Sequence, residues 1–380
     1  MFSRNRGNSV PNAGKGAKQA EPQPVPNGRA REGSVPDLLA PPPSDAQPLS
    51  RSAPGSRDTS PKLTPTQTRE ASSAPASPGR LSRSAQPGHE GNLSPQQAEA
   101  LEKLRTRLTD EGYLSKENAP HYQETQLLRF LRARSFNVDA AATMYIKAEQ
   151  WKEEIGLDRL CREFEFSERN EVARLGWRMY FHKVDRNGRP IFIQDLSNLD
   201  ANKVFQVTTA DRVVLNFAVT LEMAVRHRYA ACTEAHGDLV DDNFMVLNIA
   251  GLGLGTFWTM KSQLQKLLFI LDNNFPELSG KVQIINAPYL FSTAWACIKN
   301  WLPPQTAEKI NIVGSDYLKH IYAYVDAEHW PKSLGGKCTC CADEQDEKRA
   351  AEAKENRCET SDDGPWASVF HHLRCRGQCP

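Results

Sequence analysis

The stretch FMVLNIAGLGLGTFWTMKSQLQKLLFILDN, Phe244 to Asn273, decides the architecture of this 380-residue chain. It opens on an apolar run, passes three alternating glycines, Gly251, Gly253 and Gly255, and closes on a long amphipathic pattern. A run of this kind reads as a strand covered on both faces, and such strands belong to sheets flanked by helices. Strand, glycine loop and helix is also the order in which nucleotide-binding folds cradle phosphate. Here the detail excludes it. The sixth position counted from Gly251 is Thr256 and from Gly253 is Trp258, so no G-x-G-x-x-G forms. Gly255-Thr256-Phe257 lacks the lysine of a P-loop, and Asp272 falls on a helix rather than at a strand end that could reach a ribose. The glycines read as a tight strand-to-helix turn that lets backbone pass closely.

The same alternation continues outward. KVQIINA and INIVG repeat the strand signal on either side of FSTAWACIKNWL, a helical pattern. Upstream, Met179–Val184 and Pro190–Leu196 flank Asp185-Arg186-Asn187-Gly188 as a hairpin. Thr208-x-x-Asp211 opens a long helix with Val213, Val214, Phe217, Leu221 and Val225 on one face. Before the sheet, Leu101, Leu104 and Leu108 precede a stop at Gly112. Leu127, Leu128 and Leu131 then alternate with Arg129, Arg132 and Arg134, and residues 138 to 155 are again amphipathic. The class is α/β: a helical bundle, then helices on a mixed, largely parallel sheet with the hairpin as its antiparallel part.

Composition limits function. Lys and Arg total 47 against 46 Asp and Glu, so no global field draws the chain to nucleic acid. No apolar run is long enough to span a bilayer and the N-terminus has no apolar signal core, so membrane contact is expected to be peripheral. Residues 1–92 hold 15 of the 25 prolines and a single aromatic residue, Phe2, which predicts a disordered tail. Ser60-Pro61, Thr64-Pro65 and Ser77-Pro78 in that tail are candidate phosphorylation sites. Of nine cysteines only Cys161, Cys232 and Cys297 precede Cys338, a distribution that suits a reducing cytosol. The later ones, Cys338, Cys340, Cys341, Cys358, Cys375 and Cys379 with His371 and His372, match no zinc finger or ribbon spacing and read as reduced thiols. Gly314-Ser315 lacks the closing glycine of a nucleophile elbow, there is no H-E-x-x-H, and His182, His227 and His236 lack a catalytic or ligating spacing. No enzyme, cofactor or metal is expected.

Six strings in order carry a resemblance: LLRFLRARSFNVDAA, DRNGRPIFIQDL, NNFPELSGKVQIINAPYLFSTAW, PPQTAEKINIVGS, WPKSLGGK and SDDGPW. From about Ser94 to about Pro365 the chain resembles the CRAL-TRIO lipid-binding family, of the fungal secretory phosphatidylinositol/phosphatidylcholine transfer type. The resemblance implies residues 93–165 as the N-terminal bundle, residues 166–337 as a sandwich whose sheet floors a lipid cavity, and residues 338–380 as an extension. It implies a gating helix at Phe291–Leu302, where Phe291, Trp295, Ile298 and Trp301 would cover acyl chains when shut and meet the bilayer when open. It implies an inositol phospholipid as ligand, with the phosphate held by Arg134, Thr306 and Lys309. Asp185, Pro190, Glu277 and Gly280 would contact the inositol ring or shape its niche. One departure is Ser135, where a lysine often follows the R-A-R motif.

The choline-binding positions of such proteins match Phe181, Phe192, Leu221, Asn243 and Met245, which lack the expected hydroxyls, so phosphatidylcholine binding is expected to be weak or absent. The implied function is a monomeric, non-enzymatic phosphatidylinositol carrier in the cytoplasm. It would visit Golgi or endosomal membranes transiently and present its lipid to a phosphoinositide kinase. The alternative is a lipid-sensing regulator that holds a sterol or other hydrophobe and acts through a protein partner.

Overall fold

A computed structural model of the chain describes residues 86–114, 120–302 and 304–338. Residues 1–85 of the expected tail and the cysteines beyond Cys338 lie outside the described residues; residues 86–92 form turns with His89 buried.

The chain begins as a helical bundle: α1 (Pro95–Asp110), α2 (Pro120–Ala133) and α3 (Val138–Glu154). A capping box starts α1, with Ser94 Oγ accepting from Gln97 N–H and the Gln97 side chain accepting from Ser94 N–H. Glu111 and Gly112 end it, the latter at φ +80°. Leu101, Leu104 and Leu108 of α1 interlock with Leu127, Leu128 and Leu131 of α2 and with Ala141, Ala142 and Tyr145 of α3, all buried. The leucine spacing in the sequence therefore marks a core of its own. Short helices α4 (Leu157–Glu163) and α5 (Arg169–Arg174) lead into the sheet.

The sheet has five strands in the order β1-β2-β3-β4-β5. Strands β1 (Arg178–Val184) and β2 (Pro190–Asp195) pair antiparallel as the expected hairpin. Next in the chain come α6 (Ala201–Val207), α7 (Ala210–Met223) and α8 (Tyr229–His236), then β3 (Asn243–Asn248), α9 (Leu254–Asn274) and β4 (Ser279–Ile285). They are followed by α10 (Phe291–Ile298), α11 (Pro304–Glu308), β5 (Ile310–Ile312) and α12 (Leu318–Ile321). Strands β2 to β5 are mutually parallel. Their alternate side chains divide between two cores. Phe181, Phe192, Met245, Val282 and Ile284 join the large core beneath α7, α9 and α10. Tyr180, Ile191, Phe244, Val246 and Ile285 face Tyr317, Ile321, Val325 and Trp330 on the other side.

Two details differ from expectation. Helix α7 is capped by Thr209, whose hydroxyl accepts from Arg212 N–H, and not by Thr208, whose own hydroxyl donates to Glu168. The helix also does not run straight into α8, because a π turn at Ala224–Arg228 intervenes. Next to it, the buried Glu222 accepts from Arg226 at 2.8 Å and lies 3.3 Å from Lys152. Burial alone would raise the Glu222 carboxyl, yet these two cations hold it below the ordinary value. Arg226 also pairs with Asp158, which ties α4 to the turn.

Of the three glycines in the deciding stretch, only Gly251 is demanded by geometry. It sits at φ +70°, and a Cβ there would lie 2.5 Å from Asn198 Oδ1. Gly253 and Gly255 have nothing within 4 Å of a Cβ, so the expected close passage of backbone rests on one residue.

Candidate functional site

Because β2 to β5 run parallel, their first residues lie toward one end of the sheet: Pro190, Asn243 and Ser279 are level, and Ile310 pairs further along, with Val282. The positions singled out in the sequence fall at or beside these starts, in two groups.

The first group surrounds the end of α9. Lys309, just before β5, donates to Glu277 Oε2 at 3.0 Å, with both side chains about one-quarter exposed. Asp272, in the last turn of α9, has its carboxyl pushed up by burial; Arg134 pulls it down and Glu277 pushes it further up. That coupling brings Arg134, Asp272, Glu277 and Lys309 into one electrostatic field of two cations and two carboxylates. Arg134 holds its guanidinium against the chain by donating from Nη1 to Ala133 O at 2.9 Å. Thr306 is half-buried in α11, and its carbonyl accepts from Lys309 N–H at 3.2 Å. The ion pair in this group is Lys309–Glu277.

The second group is the hairpin turn. Asp185 is buried and accepts four hydrogen bonds: from the N–H groups of Asn187 and Arg189 at 2.9 Å, and from Arg189 Nε at 2.8 Å and Nη2 at 2.6 Å. Such a carboxylate shapes the turn and has little capacity left for a polyol. Gly188, at φ +72°, lies where a Cβ would meet the His236 ring at 2.4 Å. Arg189 approaches Asp242 at 4.0 Å. Gly280 is packed against that same aspartate, since a Cβ there would sit 1.8 Å from Asp242 Oδ2. Asp185, Pro190 and Gly280 are thus walls of one buried ionic cluster, while Arg134, Glu277, Thr306 and Lys309 are half-exposed beside it.

Sequence reasoning missed several of these groups. Asp272 entered it only as a failed ribose ligand. Asp241 and Asp242, both 1% exposed, anchor cations: Asp241 accepts from Arg132 Nη2 at 2.9 Å through its carboxylate and from Arg129 Nε at 3.1 Å through its carbonyl. The signal available was two adjacent acids directly before an apolar strand.

On the large-core face, the choline-matching positions are buried. The Phe181 and Phe192 rings stack 4.6 Å apart, and the Arg228 guanidinium lies 4.4 Å over the Phe181 ring. The expected gate takes the form of α10 followed by a short 3-10 turn, Lys299–Trp301. Phe291 is buried, and Trp295, Ile298 and Trp301 pack half-buried on the large core. Trp301 lies parallel to Phe257 of α9 with ring centroids 6.4 Å apart. A cavity of about 150 Å³ opens beside this helix, lined by Leu254, Phe257, Pro288, Tyr289, Leu290 and Phe291 among others.

Comparison with known proteins agrees with this fold. Residues 176–336 match the CRAL/TRIO domain and residues 100–147 the CRAL/TRIO N-terminal domain. The chain is 33% identical over 279 residues to a Sec14 cytosolic factor of Schizosaccharomyces pombe, covering 73% of this chain and 91% of that protein. It is 34% identical over 241 residues to the phosphatidylinositol/phosphatidylcholine transfer protein SFH7 of Arabidopsis thaliana, covering 63% of this chain but 42% of that longer protein. The crystal structure of Sfh5 superposes with a TM-score of 0.53 at 14% identity over 74% of this chain and 97% of Sfh5, a likeness of fold.

Proposed function

The chain belongs to the CRAL/TRIO family, and on that premise we propose that it is a carrier that binds one phosphatidylinositol and exchanges it at membrane surfaces without bond-making chemistry. The observation that supports this most is the field at the end of α9. Arg134 and Lys309 offer two cations to a phosphate, with Thr306 as a hydroxyl beside them, while Glu277 can accept from ring hydroxyls. Asp185, Pro190 and Gly280 serve that niche as its walls.

Phosphatidylcholine fits less well. Its phosphate would find no hydroxyl at Phe181, Phe192 or Leu221. The Phe181 face that could attract a quaternary ammonium already meets the Arg228 guanidinium, a like charge.

The gate follows from magnitude. At about 0.8 kcal/mol per buried methylene, two acyl chains represent on the order of 20 kcal/mol, so release into water is far too slow for a carrier. Ligand pockets usually measure roughly 300–1,000 Å³, and the cavity beside α10 is about 150 Å³. Admission of a diacyl lipid therefore requires α10 to swing away from Phe257 and the core, while docked. A lipid held with its headgroup at the strand starts could be handed to a phosphoinositide kinase there.

The test is to extract and identify the lipid bound to purified protein by native mass spectrometry, then to measure transfer of phosphatidylinositol and phosphatidylcholine between vesicles. Phosphatidylinositol is expected to dominate both readouts. Equal transfer of the two lipids would refute the reading.

A further inference from the structure

Among the described residues, three large apolar side chains stand out as exposed: Trp258 at 49%, Tyr289 at 95% and Leu290 at 58%. Trp258 is remote in sequence from the consecutive Tyr289 and Leu290, and Phe257 links them in space. Tyr289 and Leu290 line the cavity beside α10 together with Phe257, whose ring centroid is 5.2 Å from that of Trp258. None of the three belongs to the apolar stripe of α10, which packs inward. Lys261 sets its ammonium 5.7 Å from the Trp258 ring and 5.9 Å from the Trp301 ring, and Lys299 is exposed two residues before Trp301.

The charge pattern says what this patch meets. No acidic residue occurs between Asp242 and Asp272 or between Glu277 and Glu308, while Lys261, Lys266, Lys281 and Lys299 fall within those two segments. A chain with nearly equal acids and bases overall has thus cleared carboxylates from the two segments that form the patch. Trp and Tyr prefer the boundary between headgroups and acyl chains, and nearby lysines favour anionic lipid.

We propose that Trp258, Tyr289 and Leu290, rimmed by Lys261 and Lys299, form a preformed wedge that docks the shut protein on an anionic bilayer before α10 moves. The proposal deepens the carrier reading by naming the surface that reaches the membrane. It differs from docking by the gate itself, because the wedge is exposed while the gate stripe is packed on the core.

The experiment uses the full chain and vesicles that contain no phosphatidylinositol, so that its outcome is separate from the fate of the headgroup reading. Partition onto phosphatidylcholine vesicles is measured with and without phosphatidylserine. The parent is expected to bind better with phosphatidylserine, and Tyr289→Ser with Leu290→Ser to bind on the order of tenfold less. Lys261→Glu is expected to remove the phosphatidylserine preference. Brominated acyl chains should quench the parent fluorescence, and Trp258→Phe should lose that component. Thermal melting accompanies each variant, since exposed positions should leave it unchanged. Partition indifferent to phosphatidylserine, or equal in the double variant, overturns the proposal. So does concentration-dependent dimerisation abolished by the double variant, which would assign the patch to a second copy of the chain.

Discussion

Replacing Lys309 by alanine separates stability from recognition at the proposed headgroup site. The ammonium lies 3.0 Å from Glu277 with both side chains about one-quarter exposed, so the ion pair contributes roughly 0.5–1 kcal/mol to folding. For a domain of this size that is a fall in Tm of about 1–4 °C. A charge-assisted bond from the same ammonium to a lipid phosphate is worth about 1.5–3 kcal/mol, or roughly a 10- to 150-fold loss of phosphatidylinositol affinity. Removal of the cation also leaves Glu277 and Asp272, already coupled through their charges, to repel a phosphate with Arg134 alone opposing them. The assay is competitive loading from mixed vesicles, read by native mass spectrometry alongside thermal melting. Lys309→Arg should recover much of the loading. If phosphatidylinositol loading is unchanged in Lys309→Ala, the phosphate is not held there. If Tm instead collapses and all lipids are lost alike, the lysine is structural.

Two further outcomes follow from the neighbouring geometry. In Gly280→Ala the new methyl would meet Asp242 Oδ2 at 1.8 Å, and that carboxylate is confined in a buried ionic cluster. Destabilisation of about 2–4 kcal/mol is expected, a Tm loss of roughly 5–15 °C by calorimetry; an unshifted melt would mean the aspartate moves aside at little cost. Asp272 has a folded-state carboxyl raised above its ordinary value of 3.8, so the native state binds its proton more readily than the unfolded chain does. Stability therefore falls as pH rises through that window, and the full cost of the ionised group is present above the folded value. Asp272→Asn should raise Tm near neutral pH, with the gain vanishing as pH falls below 3.8. A gain that persists in acid would show that charge is not the cause.

Much of the fold was legible because each element carries a local signature. The Leu101, Leu104 and Leu108 spacing, the Asp185–Gly188 turn and the apolar run before Gly251 each answer to one periodicity or one turn rule. The π turn at Ala224–Arg228 was not legible, because Arg226 within it is held by Glu222 and Asp158, and Glu222 in turn by Lys152, partners from three separate helices. The proposed headgroup positions came from motif resemblance, yet their division into half-exposed Arg134, Glu277, Thr306 and Lys309 and the Asp185 and Gly280 that wall the ionic cluster depends on the register of β4 and on Asp242. Similarly, neither Trp258 nor Leu290 carries a signal of its own in the sequence. Only their shared position beside α10 distinguishes them.

The contacts from α2 to Asp241 have a consequence for how the protein is maintained in a cell. Pulling the bundle away from the sheet would break the Arg132–Asp241 pair, the bond from Arg129 to the Asp241 carbonyl and the edge contact of Trp151 with Phe275 together. The segments matching the two family domains should therefore melt together, and a cut between them should not release two stable modules. The same helix ends at Ala133, next to Arg134, so a phosphate held there, as proposed, would be felt at the start of β3 and from there in the whole sheet. Occupancy should then be felt as global stability, increasing with ligand concentration over its dissociation constant. A carrier built this way is most vulnerable to proteolysis just after delivery, which ties its lifetime to the supply of lipid.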